Sequence, residues 1–159
     1  MATVRPAEPH DMPRIMAFDS FPGDRIMEII ERRMLVVEVD GVAKGYVSWQ
    51  TGGCIGKDYV NKLVIDDDSR RLGFAKLLLA GFDAVLTGRV FISAPVGNGA
   101  ALTLLETTGW VKAGEIFGLL QADEAEAFFH RDIKSSLVAD QSPLARTGRS
   151  SPFPASHAA

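Results

Sequence analysis

Residues 58–93 read in succession as a strand, a polar turn, an amphipathic helix and a second strand, an order that excludes an all-helical or all-strand fold. The run Asp58-Tyr59-Val60-Asn61-Lys62-Leu63-Val64-Ile65 is β-rich, and Arg89-Val90-Phe91-Ile92-Ser93 is the next apolar strand. Between them Phe74, Leu77, Leu78, Phe82, Val85 and Leu86 recur at the spacing of one buried helical face. A helix joining two neighbouring strands makes them parallel, so this part of the sheet cannot be a simple meander. The spacing predicts residues 71–76 as the first helical turn. The first four amides of a helix have no partner inside it, and the macrodipole favours an anion at that end. Gly73 allows a ligand oxygen close to the backbone, Ala75 adds little bulk, and Arg70, Arg71 and Lys76 bring positive charge. The stretch therefore reads as a phosphate-binding turn. It is not a Walker loop, since no Gly-Lys-Ser or Gly-Lys-Thr follows the glycine, and it lacks the three glycines of a dinucleotide fingerprint. The run Asp66-Asp67-Asp68 reads as a solvated turn rather than a metal site.

The rest of the chain supplies the partners for these strands. Thr3-Val4-Arg5 is a short strand stopped by Pro6. A helix capped by Asp11 or its neighbours follows, with Ile15, Met16 and Phe18 as its buried side chains, and Phe21-Pro22-Gly23 breaks it. A second helix runs from Asp24 to about residue 33 on an apolar face of Ile26, Met27, Ile29 and Ile30. Met34-Leu35-Val36-Val37-Glu38-Val39 and residues 42–49 flank Asp40-Gly41, the signature of a tight hairpin. Residues 52–57, glycine-rich, read as a flexible hairpin loop. Asn98 opens a helix through Ala101, Leu102, Leu104 and Leu105, and Gly109 fits a left-handed cap at its end. Residues 110–119 and 127–132 pair as a last hairpin across residues 121–124. The order is strand, helix, helix, three strands, helix, strand, helix, two strands.

Two segments of this framework resemble the cofactor signature of the GNAT superfamily of acyl-CoA N-acyltransferases. Leu63-x-Ile65 followed by Arg70-x-x-Gly73-x-Ala75 is similar to the loop that holds the cofactor pyrophosphate. Asn98-x-x-Ala101 with Leu104-Leu105-Glu106-Thr107-Thr108-Gly109-Trp110 is similar to the family's second cofactor segment. The resemblance covers residues 3–133 and departs at Asp67, where the family commonly has proline. It implies an α/β fold: a mixed, mostly antiparallel sheet of about seven strands flanked by about four helices. Acetyl-CoA would be the co-substrate. It implies cofactor contacts from Leu63, Val64, Ile65, Arg70, Arg71, Leu72, Gly73, Phe74, Ala75 and Lys76, and a hydrogen bond from Asn98 to the pantetheine arm. By residue type alone, Asn98 is also a sufficient helix cap.

The resemblance further implies an N-acetyltransferase acting on a primary amine of a small molecule or peptide by direct attack. The acid and base of that chemistry are not evident. Leu105 stands where many members have a tyrosine, and Asn61 and Ser93 stand where a glutamate is often found. Neither is a base near neutral pH, though each can hold a relaying water. Asp58 and His130 are further, weaker candidates, while Cys54 has no histidine beside it in the sequence to activate its thiol. Tyr59 and Trp49 suit an acceptor pocket or a core equally well. Asp19, Asp24, Asp58 and Asp123 would make an acidic mouth for a cationic amine. The alternatives are a non-catalytic acyl-CoA-binding or sensing domain, and a phosphate-binding module unrelated to CoA.

Composition sets the outer limits. The 159 residues are 47% hydrophobic and 23% charged, which suits one folded domain, residues 1–133, before a tail, residues 134–159, rich in serine, proline and alanine and expected to be disordered. With 17 basic and 20 acidic residues there is no overall field to attract nucleic acid. The single Cys54 excludes an internal disulfide and a multi-cysteine metal site. No signal region or run of ~20 apolar residues is present, so the expected location is the cytoplasm, with no membrane partner. Oligomeric state is open, a homodimer included.

Overall fold

The computed structural model describes residues 1–21, 23–120 and 123–135. Its elements are β1 (Ala2–Pro6), α1 (Met12–Phe18), α2 (Arg25–Ile30), β2 (Met34–Val39), β3 (Val42–Cys54), β4 (Lys57–Ile65), α3 (Phe74–Ala80), β5 (Gly88–Pro95), α4 (Gly99–Thr107), β6 (Val111–Ile116) and β7 (Glu126–Ile133). The strands form one sheet in the order β1-β2-β3-β4-β5-β7-β6. Every neighbouring pair is antiparallel except β4 and β5, which the α3 crossover makes parallel. The predicted element order and sheet class are those observed.

The pairing of β4 with β5 is short. It holds Asp58 to Val90, Tyr59 to Phe91 and Val60 to Ile92, after which β4 runs on to Ile65 and β5 to Pro95 without pairing. On its other side β4 stays paired to β3 as far as Ile65 with Gly45. The register there slips, Ser48 opposing Lys62 and Trp49 opposing Val60, so Asn61 is the extra residue of a bulge. Strand β4 is thus kinked at the point where its partnership with β5 ends.

Each face of the sheet is covered differently. On one, Leu35, Val37, Val47, Val60, Val90, Ile92 and Phe129 pack beneath Phe74, Leu78, Leu79, Phe82 and Leu105 of the α3 and α4 side. On the other, Val36, Tyr46 and Val64 pack beneath Ile15 and Ile29 of α1 and α2. Arg5 pins the first helix to the sheet, donating from both terminal nitrogens to the buried Asp11 carboxylate at 2.8 Å and from Nε to Glu38 at 2.7 Å.

Several local expectations are corrected. Helix α3 begins at Phe74, not residue 71, because Arg71 (φ 62°) and Gly73 (φ 81°) are left-handed and interrupt a helical path. Its buried side is Phe74, Leu78, Leu79, Phe82 and Leu86, whereas Leu77 and Val85 are exposed. The α-helix ends at Ala80 and tightens into a 3₁₀ turn, which rotates the buried line. In α1 Ile15 is buried and Phe18 half-buried, but Met16 is exposed; the Asp11 carboxylate, as expected, takes part in the cap, accepting from the Glu8 amide in a capping box while it also pairs with Arg5. Helix α2 stops at Ile30 and turns inward not Met27 and Ile30 but Arg25, Glu28 and Ile29. The glycines before Lys57 form no flexible loop. Strands β3 and β4 extend to a two-residue turn, with Ile55 at φ 50° and Gly56 at φ 76°, matching the Asp40-Gly41 turn at 50° and 77°. The β6 strand ends at Ile116, before the left-handed Gly118. Of the tail expected to be disordered, residues 134–159, residues 136–159 lie outside the described residues.

Candidate active site

Where β4 and β5 part, a cleft of ≈ 310 Å³ passes through the sheet. Its walls include Val60, Asn61 and Leu63 of β4, Ile92 to Pro95 of β5, Asn98, Leu104 and Leu105 of α4, and Glu126 of β7. Strand alternation sends Ile92 and Ala94 toward the α3 and α4 face and Ser93 and Pro95 toward the α1 and α2 face. Phe21, in the connection between α1 and α2, borders the cleft on that second face. A ligand entering from one face can therefore meet one entering from the other.

The cofactor half is built from main chain. Half of the main-chain N–H and C=O groups of 61–65, those turned away from β3, have no strand to pair with, and a buried polar group needs a partner. Of the predicted contacts, Leu63 lines the cleft, Ile65 is half-buried against the α3 side, and the Val64 side chain is buried under α1. Helix α3 makes its first bond from the Leu77 amide to the Gly73 carbonyl at 3.1 Å, so the amides of Phe74, Ala75 and Lys76 lie before it at the open end. Gly73 serves here through its positive φ, since a Cβ built on it would meet nothing within 4 Å. Arg71, Leu72 and Lys76 are exposed at the turn. The Asp66-Asp67-Asp68 run does not face this site as a block: Asp66 is buried and paired with Arg14 of α1, and Asp67 pairs with Arg70 at 2.6 Å. Asn98 caps α4, its Oδ1 accepting from the Ala101 amide at 3.1 Å, and lines the cleft with its amide group as the remaining donor. These groups fit an extended chain ending in phosphates.

On the acceptor side a row of three side chains crosses β4, β5 and β7. The Tyr59 hydroxyl lies 2.7 Å from Ser93 Oγ, and Ser93 Oγ donates to Glu126 Oε1 at 2.7 Å, which leaves Tyr59 as donor to Ser93. Glu126 Oε2 is buried without a hydrogen-bond partner. A buried acceptor left unpaired costs about 1–3 kcal/mol, so the carboxylate gains by meeting a donor, an ammonium group above all. Ser93 was legible as a site residue, but Glu126 was not. Its place next to Pro95, and one turn of the pleat from Ser93, depends on the β5–β7 register, which no local signal encodes. The alternation Glu126, Phe128, His130 on one face was the available clue.

The remaining candidates separate clearly. Asn61, in the bulge, lines the cleft and accepts from Ser48 Oγ at 3.1 Å. Asp58 accepts from the Gly52 amide at 3.2 Å, steadying the hairpin, and does not line the cleft. His130 packs edge-on against Phe91, ring centres 6.1 Å apart, four residues along β7 from Glu126. Leu105 is buried in the core at the cleft wall. Trp49 belongs to the core, edge-to-face with Phe82. Cys54 is half-buried at the end of β3.

Of the expected acidic mouth, Asp24 and Asp123 are exposed, and none of Asp19, Asp24, Asp58 and Asp123 lines the cleft. Asp19 is turned inward to Arg25, its Oδ2 accepting from Nε at 2.6 Å, and Asp24 caps α2 through the Met27 amide at 3.2 Å. Arg25 is itself buried, stacked over the Tyr46 ring at 5.7 Å and paired with Glu28 at 3.1 Å, and it donates to the Phe21 carbonyl at 3.3 Å. Burial pushes the Asp19 carboxyl up, but the Arg25 guanidinium and the Phe21 amide outweigh it and hold the group below the usual carboxylate range. Burial raises the Tyr46 phenol well above its ordinary value. The carboxylate offered to the cleft is Glu126.

No family model and no curated protein sequence matches the chain. Solved structures do. An acetyltransferase of the GNAT family from Bacillus cereus superposes with a TM-score of 0.75 at 20% identity, covering 84% of this chain and 98% of the other. The ribosomal-protein-S18-alanine N-acetyltransferase of Escherichia coli gives 0.68 at 17% identity, covering 84% and 95%. Salmonella typhimurium yncA, solved with its cofactor acetyl-CoA, gives 0.69 at 13% identity, covering 93% and 99%. The strand order, the parted β4 and β5, and these superpositions agree, and the chain has the GNAT acetyltransferase fold.

Proposed function

We propose that this chain is an N-acetyltransferase that moves an acetyl group from acetyl-CoA to the primary amine of a small molecule or peptide by direct attack. The observation that carries the reading is the Tyr59, Ser93 and Glu126 row at one end of a cleft whose other end offers unpaired main chain and an open helix start. Bound acetyl-CoA would supply the thioester carbon. The main-chain groups of 61–65 turned toward β5 would hold the pantetheine arm and orient the carbonyl; preorganised donors at a developing oxyanion are worth about 3 kcal/mol each. Asn98 would add its amide donor, and the turn at 71–76 would take the phosphates.

The amine must lose a proton to become a nucleophile. Ser93 Oγ can accept that proton while passing its own to Glu126, so one carboxylate serves both to attract the ammonium and to discharge it. No acid is required at Leu105, because a thiol with an ordinary pKa near ~8.5 leaves as a thiolate and is protonated by water. That same leucine is the feature favouring the second reading, an acyl-CoA-binding domain without turnover.

Thermal unfolding with and without acetyl-CoA, for the native chain and for Gly73→Glu, tests both. Ligand at ~100 times Kd stabilises by about 2.7 kcal/mol, a rise of several degrees. We expect the rise in the native chain and its loss in Gly73→Glu, together with release of free CoA in the presence of an amine. A rise without release by any amine would select the binding domain, and no rise would refute the cofactor assignment.

A further inference from the structure

Beside the relay lies a second depression that the proposed reaction has not used. A groove of ≈ 490 Å³ runs over the uncovered part of the α1 and α2 face, lined by Phe91, Phe128, Ile116 and Ile55, with Lys57 and Arg89 at its end. It is continuous with the relay through side chains already described. Phe91 precedes Ser93 by two residues on β5, and Phe128 follows Glu126 by two on β7, so each lies about 7 Å from its relay neighbour on the same face. Tyr59 joins the two regions: its hydroxyl meets Ser93, and its ring stacks on Phe128 with centres 6.4 Å apart and planes at 27°.

The middle of the groove is apolar. Its floor is aromatic, and its walls are apolar residues kept exposed, Ile116 on the sheet edge and Ile55 at the β3–β4 turn, the latter 98% exposed. Large apolar side chains gathered around one concavity mark a surface that binds apolar matter. The charges at its margin are mostly spent on each other: Arg89 Nε donates to Asp132 at 2.7 Å, and Lys112 pairs with Glu115 at 2.5 Å. What remains is negative at the relay end, at Glu126, and positive at the far end, at Lys57.

Resting on the N-acetyltransferase reading, we propose that the acceptor is a small hydrophobic monoamine, whose ammonium meets Glu126 and whose alkyl or aryl body lies along Phe91 and Phe128. A polyamine is disfavoured, because its second cation would reach Lys57. A peptide is disfavoured because most of its backbone would lie on the Phe91 and Phe128 rings, which leave its polar groups unpaired.

Isothermal titration of the full chain with amines, with and without CoA, tests this without requiring turnover. The probes are 4-phenylbutylamine, butylamine and spermidine. We expect 4-phenylbutylamine to bind at least tenfold more tightly than butylamine, since each methylene removed from water contributes roughly three- to fourfold. Ile116→Lys and Ile55→Lys, both at exposed positions that tolerate the change, should reduce that ratio at least fivefold, and Glu126→Gln should weaken both monoamines. Equal binding of the two monoamines, tighter binding of spermidine, or a ratio unmoved by both lysine variants would overturn the proposal. So would sedimentation showing a dimer that Ile116→Lys dissociates, since the groove would then belong to a second copy. Failure of acetyl-CoA to bind, with the amine ratio intact, would refute the transferase reading and leave the groove assigned.

Discussion

Replacing Arg25 by methionine should destabilise the protein by about 3 kcal/mol at neutral pH, and the loss should shrink as the pH is lowered. The guanidinium is 3% exposed and serves carboxylates that are themselves 4% (Asp19) and 9% (Glu28) exposed. Removing one partner of a buried ion pair costs about 3–5 kcal/mol, because the other charge stays buried and uncompensated. The lower figure applies here. Lys62 Nζ stands 4.0 Å from Glu28, and the Phe21 amide still donates to Asp19 at 3.0 Å, so neither carboxylate is left bare. In the native protein the Asp19 carboxyl is held below its unfolded value, so its contribution to stability is present above about pH 4 and is lost as pH falls through the folded pKa. Without Arg25, the burial of the carboxylate is opposed mainly by the Phe21 amide, and we expect it to carry the group above its unfolded value. The folded variant then binds the proton more tightly than the unfolded chain, and its stability increases as pH falls from 7 toward 4. Urea unfolding at pH 7.0 and 4.5 measures the gap at each. We expect a fall in Tm of roughly 6–12 °C at pH 7, at about 2–4 °C per kcal/mol for a domain of this size, with Asp19→Asn restoring part of it. A gap below about 1 kcal/mol, or one of equal size at both pH values, would refute the assignment of Arg25 as the neutralising partner of the α1–α2 connection.

Substitutions at three further positions separate structural from functional roles. Glu126→Gln should lower the acetylation rate by roughly 10²-fold or more at pH 7 while leaving the KM for acetyl-CoA in place. The deficit should close as pH approaches the amine's own pKa of ~10, where free amine needs no base, and a pH-independent deficit would count against the relay. Asn98→Ala should cost about 1 kcal/mol through the lost cap. Asn98→Asp should restore that stability by keeping an acceptor for the Ala101 amide, yet bind acetyl-CoA as weakly as the alanine variant, because it lacks the amide donor. Gly45→Ala should destabilise by about 1–3 kcal/mol in urea unfolding through overpacking, since its Cβ would sit 2.5 Å from Ile65 Cδ1 and 2.8 Å from the Val64 carbonyl.

The sequence was most readable where one interaction decides the local shape. Asp40-Gly41 has few conformations open to it, and the apolar, β-branched run of Met34 to Val39 needs a partner strand, so that hairpin follows directly. The crossover from β4 through α3 to β5 was equally plain, because periodicity changes from two to near four along it. What failed were places where a distant group overrides local preference. Helix α2 reads as apolar on Met27 and Ile30, yet Asp19, Tyr46 and Lys62 lie where Arg25 and Glu28 can be satisfied, and those two turn inward. Glu126 stands beside Ser93 only because two strands 33 residues apart in sequence pair in one register. The turn at residues 70–76 was found by its glycine, but the left-handed Arg71 that delays the helix carries no mark in its residue type.

The brevity of the β4–β5 pairing bears on how the molecule keeps its shape. Three residue pairs are all that stitch β1-β2-β3-β4 to β5-β7-β6, so the sheet is two leaves on a narrow seam. A pantetheine arm laid in the gap would act as an eighth, removable strand, extending the seam from Val60 toward Ile65. Cofactor occupancy would then govern the angle between the leaves, and with it the distance from Glu126 on one leaf to Asn61 on the other. Loading the acyl donor and setting the width of the acceptor's doorway would become one mechanical event.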